Sequence, residues 1–416
     1  MKPGDLNLAD PDSFASGQPF EYFAVLRREA PVHWNPAPGG GKDHPMAIRR
    51  GFFALTRHAD IVQVSRDPKL FSARVGSNLL SDLDDHEETH LTAMQSMLIN
   101  MDPPDHAKYR RFFLRGFTRR MVAKLEPVIR AHAKRVVDGV ADKQECDFVT
   151  DLANELPLLL ICELMGVPEN DRHRLYEWSN LLCGFDDPEM FESREAQEAA
   201  AAEIYRYSME LVAQKRAQPD ETLISNYVHS ELRGDTITDF ELSSFFILLC
   251  VAGTETTRTA TAHGMRLLSE HPDQYELLLS DVDRHLPGAI EEILRFSPPV
   301  IVVRRTAMED TRIRGVDIEM GDKLGLYYGA ANRDEELFED PDRFDITRSP
   351  NPHLSSGIGE HYCMGASLAR MQLRCILAEI LTRLPDMRVS SPPRRQRSAL
   401  LDGIKEMRVQ YTPEAS

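Results

Sequence analysis

One long apolar segment constrains the fold more than any other feature. Residues 238–272 read TDFELSSFFILLCVAGTETTRTATAHGMRLLSEHP. Thr238 and Glu241 have the spacing of a capping box, and Pro272 limits the far end, so the segment predicts a helix over residues 239–269. A helix of that length spans roughly 45 Å, which is enough to cross a whole domain. We therefore expect a large body that this helix crosses.

The middle of this helix, residues 252–257, has an unusual composition. It reads AGTETT, and glycine and clustered threonines weaken a helix because threonine hydroxyls compete for backbone carbonyls. Such a stretch predicts a local groove in the helical hydrogen-bond ladder. Glu255 beside hydroxyls in apolar surroundings would form a buried proton-donor set. Alternatively, Glu255 and its neighbours face solvent on an otherwise buried helix, and the segment taken alone favours that second interpretation.

Helical spacing dominates the chain from residue 103 onward. The predicted helices cover residues 104–118, 122–142, 148–165, 170–184, 192–217, 239–269, 271–280, 283–296 and 364–384. Short strand-like runs with turns fill residues 20–70 and 298–350, and GFFALTRHADIVQV predicts a strand that leads into a helix. Residues 73–101 predict a long polar loop with one short helix. The pattern predicts a mainly α architecture with small β-sheets and one continuous body.

Composition excludes several classes of protein. The formal charge of −17 over 416 residues argues against binding nucleic acid. The six cysteines include no CxxC pair and lie mostly in apolar helical text, which indicates a reducing compartment without disulfides. The N-terminus has no apolar core for export, and no continuous apolar run reaches the roughly 18 residues that span a bilayer. We expect a cytoplasmic protein that does not bind membranes.

A single cysteine stands where a loop becomes a helix. Residues 353–373 read HLSSGIGEHYCMGASLARMQL. Glycines 357, 359 and 365 surround Cys363. After it, apolar residues recur at steps of three and four, which predicts a helix. The thiol therefore lies at a helix N-terminus.

Cations cluster in one long basic segment, and charged residues recur in two shorter motifs further along the chain. From His106 to Lys124 the sequence contains no acid but many cations, and His106 and Arg110, four residues apart, share a helix face. This basic island, Lys108, Arg110, Arg111, Arg115, Arg119, Arg120 and Lys124, is either a solvated helix surface or an anion site with a docking face. The sequence EEILRFSPP pairs Glu292 with Arg295 at a three-residue step. The pair Arg304–Arg305 follows the strand-like VIVV.

Five segments together resemble the cytochrome P450 family of haem-thiolate monooxygenases. They are DPPDHAKYRR, AGTETT, EILR, FEDPDRFDIT and GIGEHYCMGASLAR, and they occur in the order typical of the family. The resemblance covers nearly the whole chain. It implies the cytochrome P450 fold, a single triangular-prism-like body over residues 1–416 with a long central helix crossing the haem. It also implies haem b as cofactor and O2 as co-substrate.

The resemblance implies a role for each matching residue. Cys363 would be the thiolate ligand of the iron, and Gly365 would let the backbone pack close to the sulfur and porphyrin. Ala252 would contact the haem. Four further residues would hold the haem propionates: His106, Arg110, Arg305 and His361. Arg305 is preferred to Arg304 because the RTA that follows it fits the family pattern.

Two further sets of roles follow from the resemblance. Glu255 and Thr256 would relay protons to bound dioxygen, with Glu255 connecting Thr256 to solvent. Glu292, Arg295 and Arg343 would form a buried network that fixes the cysteine side of the haem site. The chain departs from the family at Ser356, where a phenylalanine is usual. We hypothesise that this serine raises the iron potential or loosens the haem.

Substrate and partners are also expectations from the resemblance. The pocket wall is predicted to come from residues 73–99 and 167–200, the long helix, the VIVV strand and the segment near Leu400. Its apolar candidates are Phe245, Leu249, Val300, Val302, Val303, Leu400 and Leu401. This favours a hydrophobic small molecule. Several stretches resemble bacterial hydroxylases of steroid side chains and methyl-branched lipids, and terpenoids remain an alternative.

We expect the chain to work as a monomer. No flavin or nicotinamide domain is recognisable, so electrons would come from a ferredoxin and its reductase, which would dock on the basic island with Arg370 and Arg374. Three alternatives remain. The first is a peroxide-driven peroxygenase, and the second is a non-catalytic haem-binding or sensor protein. The third is a haem-free enzyme in which Cys363 is a nucleophile beside His361.

Overall fold

Helices build most of the molecule. The computed structural model describes residues 1–38, 48–75, 79–82, 92, 94–232 and 235–414. Its helices are α1 Phe20–Glu29, α2 His58–Arg66, α3 Asp105–Phe113, α4 Arg119–Asp138, α5 Glu155–Met165, α6 Arg172–Cys183, α7 Arg194–Ala217, α8 Leu223–Val228, α9 Asp239–Glu270, α10 Pro272–Ser280, α11 Val282–Phe296, α12 Tyr328–Ala331 and α13 Ala366–Arg383. All nine helices predicted from residue 104 onward are present, most of them within about two residues of the expected ends.

Short strands form five small sheets. The strands are β1 Val32–Asn35, β2 Phe52–Leu55, β3 Phe71–Ser72, β4 Glu145–Asp147, β5 Glu231–Leu232, β6 Asp235–Thr236, β7 Val302–Ala307, β8 Thr311–Ile313, β9 Val316–Ile318, β10 Lys323–Tyr327, β11 Arg388–Val389, β12 Arg394–Arg395, β13 Ile404–Glu406 and β14 Arg408–Gln410. The largest sheet has the order β1-β2-β10-β7-β3, with β2 and β10 parallel and the other neighbours antiparallel. A three-stranded sheet, β11-β14-β4, and three two-stranded ribbons complete the β structure.

Helix α9 begins with the predicted capping box. The backbone N–H of Glu241 donates to Thr238 Oγ1 at 3.2 Å, and the backbone N–H of Thr238 donates to Glu241 Oε2 at 2.8 Å. The helix then continues without a break to Glu270. The predicted groove therefore does not break the helix. The Thr256 hydroxyl donates to the carbonyl of Ala252 at 2.7 Å, as the competition of threonine hydroxyls for backbone carbonyls predicts.

Helix α9 packs in the centre of the helical layer. It contacts α5, α6, α7, α11 and α13, and its apolar residues belong to the largest buried cluster. By length and mean hydropathy it is also the one described helix that could cross a membrane, although no uninterrupted apolar run is that long. Because 56% of that apolar window is buried inside the protein, packing against the neighbouring helices already accounts for its composition.

The sequence did not predict α1. Its residues, FEYFAVLRRE, include three aromatic residues, a type that favours strands, and this region was expected to contain only strand-like runs and turns. Tyr22, Phe23 and Leu26 are fully buried, and the Phe23 ring lies 5.5 Å from the ring of Tyr327 on β10. Packing on the sheet therefore overrides the local preference.

Two aspartates attach the loop between α6 and α7 to the C-terminal ribbon β12–β13. Asp186 Oδ2 accepts the backbone N–H of Ala399 at 2.9 Å. Asp187 Oδ2 accepts the backbone N–H of Arg397 at 2.9 Å and an ion pair from Lys405 at 2.9 Å. Both aspartates are almost fully buried. The loop is thereby closed over the residues that precede the ribbon's second strand.

Candidate active site

The loop that carries Cys363 is shaped by glycines. The backbone N–H of Cys363 donates to the carbonyl of Ser356 at 2.8 Å, which closes the loop. Gly357 and Gly359 have φ angles of 68° and 76°, a region that favours glycine. A Cβ on Gly359 would also lie 2.5 Å from the backbone oxygen of Ser65 in α2. The loop therefore approaches α2 more closely than any other residue type at this position would allow.

The Cys363 sulfur lies in a deep opening. It is the only solvent-accessible cysteine of the six, yet burial by the surrounding protein raises the pKa of its thiol. The backbone N–H groups of Gly365 and Ala366, at the start of α13, act in the opposite direction, as do the charges of Arg370 and Arg110. These groups stabilise a thiolate once a cation such as iron binds it.

The middle of α9 presents a small exposed patch. Ala252 is solvent-exposed and Thr256 is half-buried, although their neighbours on the helix are mostly buried. Because α9 lies inside the helical layer, this exposure marks an internal cavity rather than the outer surface. Ala252 and Thr256, one turn apart, share the face that borders the cavity.

Glu255 is held differently from the prediction. Its carboxylate is 4% exposed and forms an ion pair with Arg258, one turn along the same helix. Arg258 in turn donates to Asn180 Oδ1 of α6 at 3.2 Å. In this structure the ion pair therefore closes the predicted connection from Glu255 to solvent. The sequence did not indicate Arg258 or Asn180 as partners of Glu255.

Two histidines and two arginines converge beside the cysteine loop. The rings of His106 and His361 lie 4.2 Å apart. Burial, reinforced by the charges of Arg305 and Arg110, lowers the pKa of His106 to about 4 and that of His361 to about 2. The buried Nε2 atom of each histidine has no hydrogen-bond partner among the described residues. These four side chains therefore form an electropositive pocket with unused donors.

The two arginines of that pocket make hydrogen bonds only to backbone carbonyls in the described part of the chain. Arg110 donates to the carbonyl of Tyr362 at 2.6 Å, and Arg305 donates to the carbonyl of Arg304 at 2.7 Å. Arg304 instead reaches the other way, to Thr306 Oγ1 and to the carbonyl of Ser81. The structure thus places Arg305, and not Arg304, beside the histidines.

Glu292 and Arg295 form a fully buried ion pair on α11. Arg295 Nε and Nη2 donate to the two carboxylate oxygens of Glu292 at 2.8 and 2.7 Å, and both side chains are 0% exposed. Arg295 also donates to the backbone carbonyls of Asn332, Pro341 and Arg343. The pair thereby fastens the irregular segment that leads to the cysteine loop.

The prediction for Arg343 was wrong. Its side chain is exposed, and only its backbone carbonyl joins the network. The second arginine is Arg348, whose Nε donates to Glu292 Oε1 at 3.3 Å, while Asn351 donates to Oε2 at 3.1 Å. Arg343 lies within the motif FEDPDRFDIT and Arg348 directly follows it, and spacing alone does not show which of them turns inward.

Ser356 contacts the arginine of a second ion pair. Arg370 on α13 donates to Ser356 Oγ at 3.4 Å and binds both carboxylate oxygens of Glu291 at 2.6 and 2.8 Å. Arg374, one turn further, pairs with Glu126 at 2.7 Å. The two arginines expected to dock a partner are therefore already paired with acids of the chain itself.

The predicted pocket residues divide into two groups. Leu249, Val300, Val303 and Leu400 are half-buried, whereas Phe245, Val302 and Leu401 are buried. Phe245 does not support a pocket role, because its ring stacks on Phe113 with the centroids 3.6 Å apart. Val302 and Leu401 are likewise closed to solvent. About half of the predicted wall over residues 73–99 falls outside the described residues.

The residues present fit haem b. The described residues include an accessible thiol, two histidine nitrogens without partners and two arginines without acidic partners, which suit an iron porphyrin with two propionates, and the exposed Ala252 leaves room for it. A haem-free cysteine nucleophile needs a general base that a third group orients, but the Nε2 atom of His361 has no hydrogen-bond partner among the described residues.

Comparisons with known proteins agree with this site. A sequence model of the family described as Cytochrome P450 matches residues 66–400. The chain is 38% identical to a steroid C26-monooxygenase of Rhodococcus jostii over 413 residues, which cover 98% of this chain and 85% of the relative. It is 37% identical to a methyl-branched lipid omega-hydroxylase of Mycobacterium bovis over 397 residues, 94% of this chain and 90% of the relative.

A solved structure has the same architecture. A cytochrome P450 of Mycobacterium marinum in complex with pseudoionone superposes with a TM-score of 0.89 at 34% identity, covering 99% of this chain and 98% of the other. The likeness extends over both the helical layer and the sheets. The chain therefore belongs to the cytochrome P450 family and is a monooxygenase that uses haem b and O2 to oxidise a hydrophobic small molecule.

Proposed function

We propose that the enzyme hydroxylates the end of a methyl-branched aliphatic chain, as found on a steroid side chain or a branched lipid. The observation that carries this is that relatives with two different names, a steroid C26-monooxygenase and a methyl-branched lipid omega-hydroxylase, match the chain almost equally well. Both names describe attack at the terminus of a branched chain. The half-buried Leu249, Val300 and Leu400 offer an apolar surface for such a chain.

We propose that Cys363 is the iron ligand and that two arginines and two histidines hold the propionates. When bound, haem supplies the activation of O2 and the oxidation of the C–H bond. His106, Arg110, Arg305 and His361 support the second role because they surround one pocket and retain unused donors. Gly365 has no side chain beside the Cys363 sulfur, and the small side chain of Ala252 leaves space on the exposed face of α9.

We propose that Thr256 is the residue that holds a proton near the bound oxygen. Its Oγ1 donates to the Ala252 carbonyl, so its lone pairs face the cavity and are free to accept a hydrogen bond there. Glu255 is one residue away and buried against Arg258. A proton from Glu255 reaches the cavity only when that ion pair opens, so Arg258 controls the supply.

The test is turnover with two substrate classes. Purified enzyme with a surrogate ferredoxin, its reductase, NADH and O2 is expected to hydroxylate the terminal carbon of a cholestane-type steroid or of a methyl-branched fatty acid. The Thr256→Ala variant should still consume NADH but form product roughly a hundredfold more slowly, because the hydroxyl that accepts a hydrogen bond beside the bound oxygen is lost. Thr257→Val is the matched control, since Thr257 is buried on the same helix.

Three outcomes would count against this proposal. Hydroxylation only at ring carbons, or of neither compound, would remove the substrate assignment. Equal product formation with hydrogen peroxide alone, without reductase, would favour the peroxygenase alternative. Unchanged coupling of NADH to product in Thr256→Ala would remove the role of that hydroxyl.

We propose that a ferredoxin docks on the basic island. Five of its cations are exposed and have no ion-pair partner in the described part of the chain: Arg111, Arg115, Arg119, Arg120 and Lys124. The island begins next to the cysteine loop, since Arg110 contacts Tyr362. On a chain with a net charge of −17, such a patch attracts an acidic partner to one face.

Charge reversal at the island should slow electron delivery. In Arg115→Glu and Arg119→Glu the first-electron transfer from ferredoxin is expected to slow about tenfold at low salt, and its salt dependence should weaken. Stopped-flow reduction under carbon monoxide measures both. Lys69→Glu, an exposed cation between α2 and β3, is the control and should keep the wild-type rate. Fast reduction in both island variants would place docking elsewhere.

We also propose that residues 1–416 act as one domain in the cytoplasm. Gln18 donates to Asp402 Oδ2 at 3.1 Å, and Asp12 pairs with Arg397, so the two ends of the chain are bonded to each other. All six cysteines are free thiols, which suits a reducing compartment.

A further inference from the structure

Arg370 lies between the cysteine loop and an acid. Its Nε and Nη2 atoms bind the two carboxylate oxygens of Glu291, and its Nη1 atom reaches the other way, to Ser356 Oγ at 3.4 Å and to the Ala366 carbonyl at 3.3 Å. One edge of the guanidinium thus faces Glu291 and the other faces the loop that holds Cys363.

Glu291 is fixed on the far side of the arginine. His353 Nε2 donates to Glu291 Oε2 at 3.0 Å, and its Nδ1 accepts the backbone N–H of Ser355 at 3.2 Å, which sets the tautomer. The bonds from Arg370 and His353 outweigh burial and lower the pKa of Glu291 to about 2. A permanent cation therefore faces the loop, with a permanent anion behind it.

Ser356 couples this ion pair to the cysteine. Its backbone carbonyl accepts the N–H of Cys363, and its hydroxyl accepts from Arg370. A phenylalanine at this position would keep the backbone bond but offer no acceptor to the guanidinium. The serine therefore allows the charge of Arg370 to rest against the loop where an apolar ring would exclude it.

We propose that Arg370, held against the loop by Ser356, is a positioning residue that raises the reduction potential of haem iron bound at Cys363. This rests on the proposed function of Cys363 as iron ligand. Reduction adds one negative charge to the iron–thiolate unit, and a nearby cation stabilises that charge. Glu291, behind the cation, has the opposite and smaller effect. Removing the charge of Arg370 should therefore lower the potential, and removing the charge of Glu291 should raise it.

The test is a spectroelectrochemical titration of purified holoenzyme. Arg370→Gln is expected to lower the one-electron reduction equilibrium constant about tenfold, which is about 59 mV. Glu291→Gln should raise it by a smaller factor, and Ser356→Ala should lower it. Arg370→Lys keeps the charge and should recover most of the wild-type potential. Arg374→Gln is the matched control, because Arg374 lies on the same helix and pairs with Glu126 instead.

The reduced carbon monoxide spectrum separates failure of this inference from failure of the function. A wild-type band without thiolate character would remove the iron ligand itself. With thiolate ligation intact in every variant, an unchanged potential in Arg370→Gln overturns the inference, as does a shift of the same sign in Glu291→Gln and Arg370→Gln. A slower ferredoxin reaction in Arg370→Gln at unchanged potential would assign Arg370 to docking instead.

Discussion

Replacing Cys363 with serine is expected to remove thiolate ligation and to reduce monooxygenase turnover below roughly one per cent of the wild-type rate. The alcohol is not deprotonated by the backbone N–H groups at the start of α13, so it cannot give the electron donation that a thiolate gives the iron. The reduced carbon monoxide complex of the wild type should show the red-shifted Soret band of thiolate ligation, and the variant should not. Absorption spectra and product analysis measure the two effects.

The control for this variant is a second cysteine, on α13, the helix that follows the Cys363 loop. Cys375 is buried in the core of α13, and Cys375→Ala should keep the red-shifted band while losing about 1 kcal/mol of stability at most. If Cys363→Ser retained the band or wild-type turnover, the iron ligand would have to be another residue, and the assignment of the site would fail.

Replacing Arg295 with alanine is expected to cost about 3–5 kcal/mol of unfolding free energy, because it leaves Glu292 charged and buried without its main partner. It also leaves three backbone carbonyls of the segment before the cysteine loop without a donor. Against a total stability of roughly 5–15 kcal/mol, this should leave much of the protein unfolded or free of haem. Urea denaturation followed by far-UV circular dichroism, with the haem content of the purified protein, measures both.

Arg343 and Arg348 provide the comparison. Arg343→Ala should change the unfolding free energy by less than about 0.5 kcal/mol, because its exposed side chain lies outside the network. Arg348→Ala should cost about 1–3 kcal/mol, since Arg348 bonds to Glu292 and to the carbonyls of Glu339, Asp340 and Arg343. The reverse order of the two variants would contradict the network seen in the structure.

The sequence predicted the bounds of a helix best where a local capping signal marks them. The capping box at Thr238 predicted the start of α9 to the residue. Helix α1 was missed because its aromatic residues favour a strand, and the packing of Phe23 on Tyr327 is not visible in the sequence. Motif order was enough to predict the family. The spacing did not distinguish Arg343 from Arg348, because which side chain turns inward depends on an irregular backbone.

Contacts between distant segments were beyond sequence reasoning. The ion pair that closes Glu255 lies on one helix and has the ordinary three-residue spacing, but its link to Asn180 on α6 depends on how two helices pack. The same holds for Glu291, which was not considered, and for Arg370, which was expected to face a partner. In each case the residue type was visible and its neighbour was not.

The way the α6–α7 loop is attached affects how this enzyme can diversify. Asp186 and Asp187 bind main-chain N–H groups at positions 397 and 399 rather than side chains. If Leu400 lines the pocket as proposed, substitutions at this position change ligand contacts without loosening the attachment of the loop. Substrate preference can therefore evolve in such an enzyme while the attachment of the α6–α7 loop stays the same.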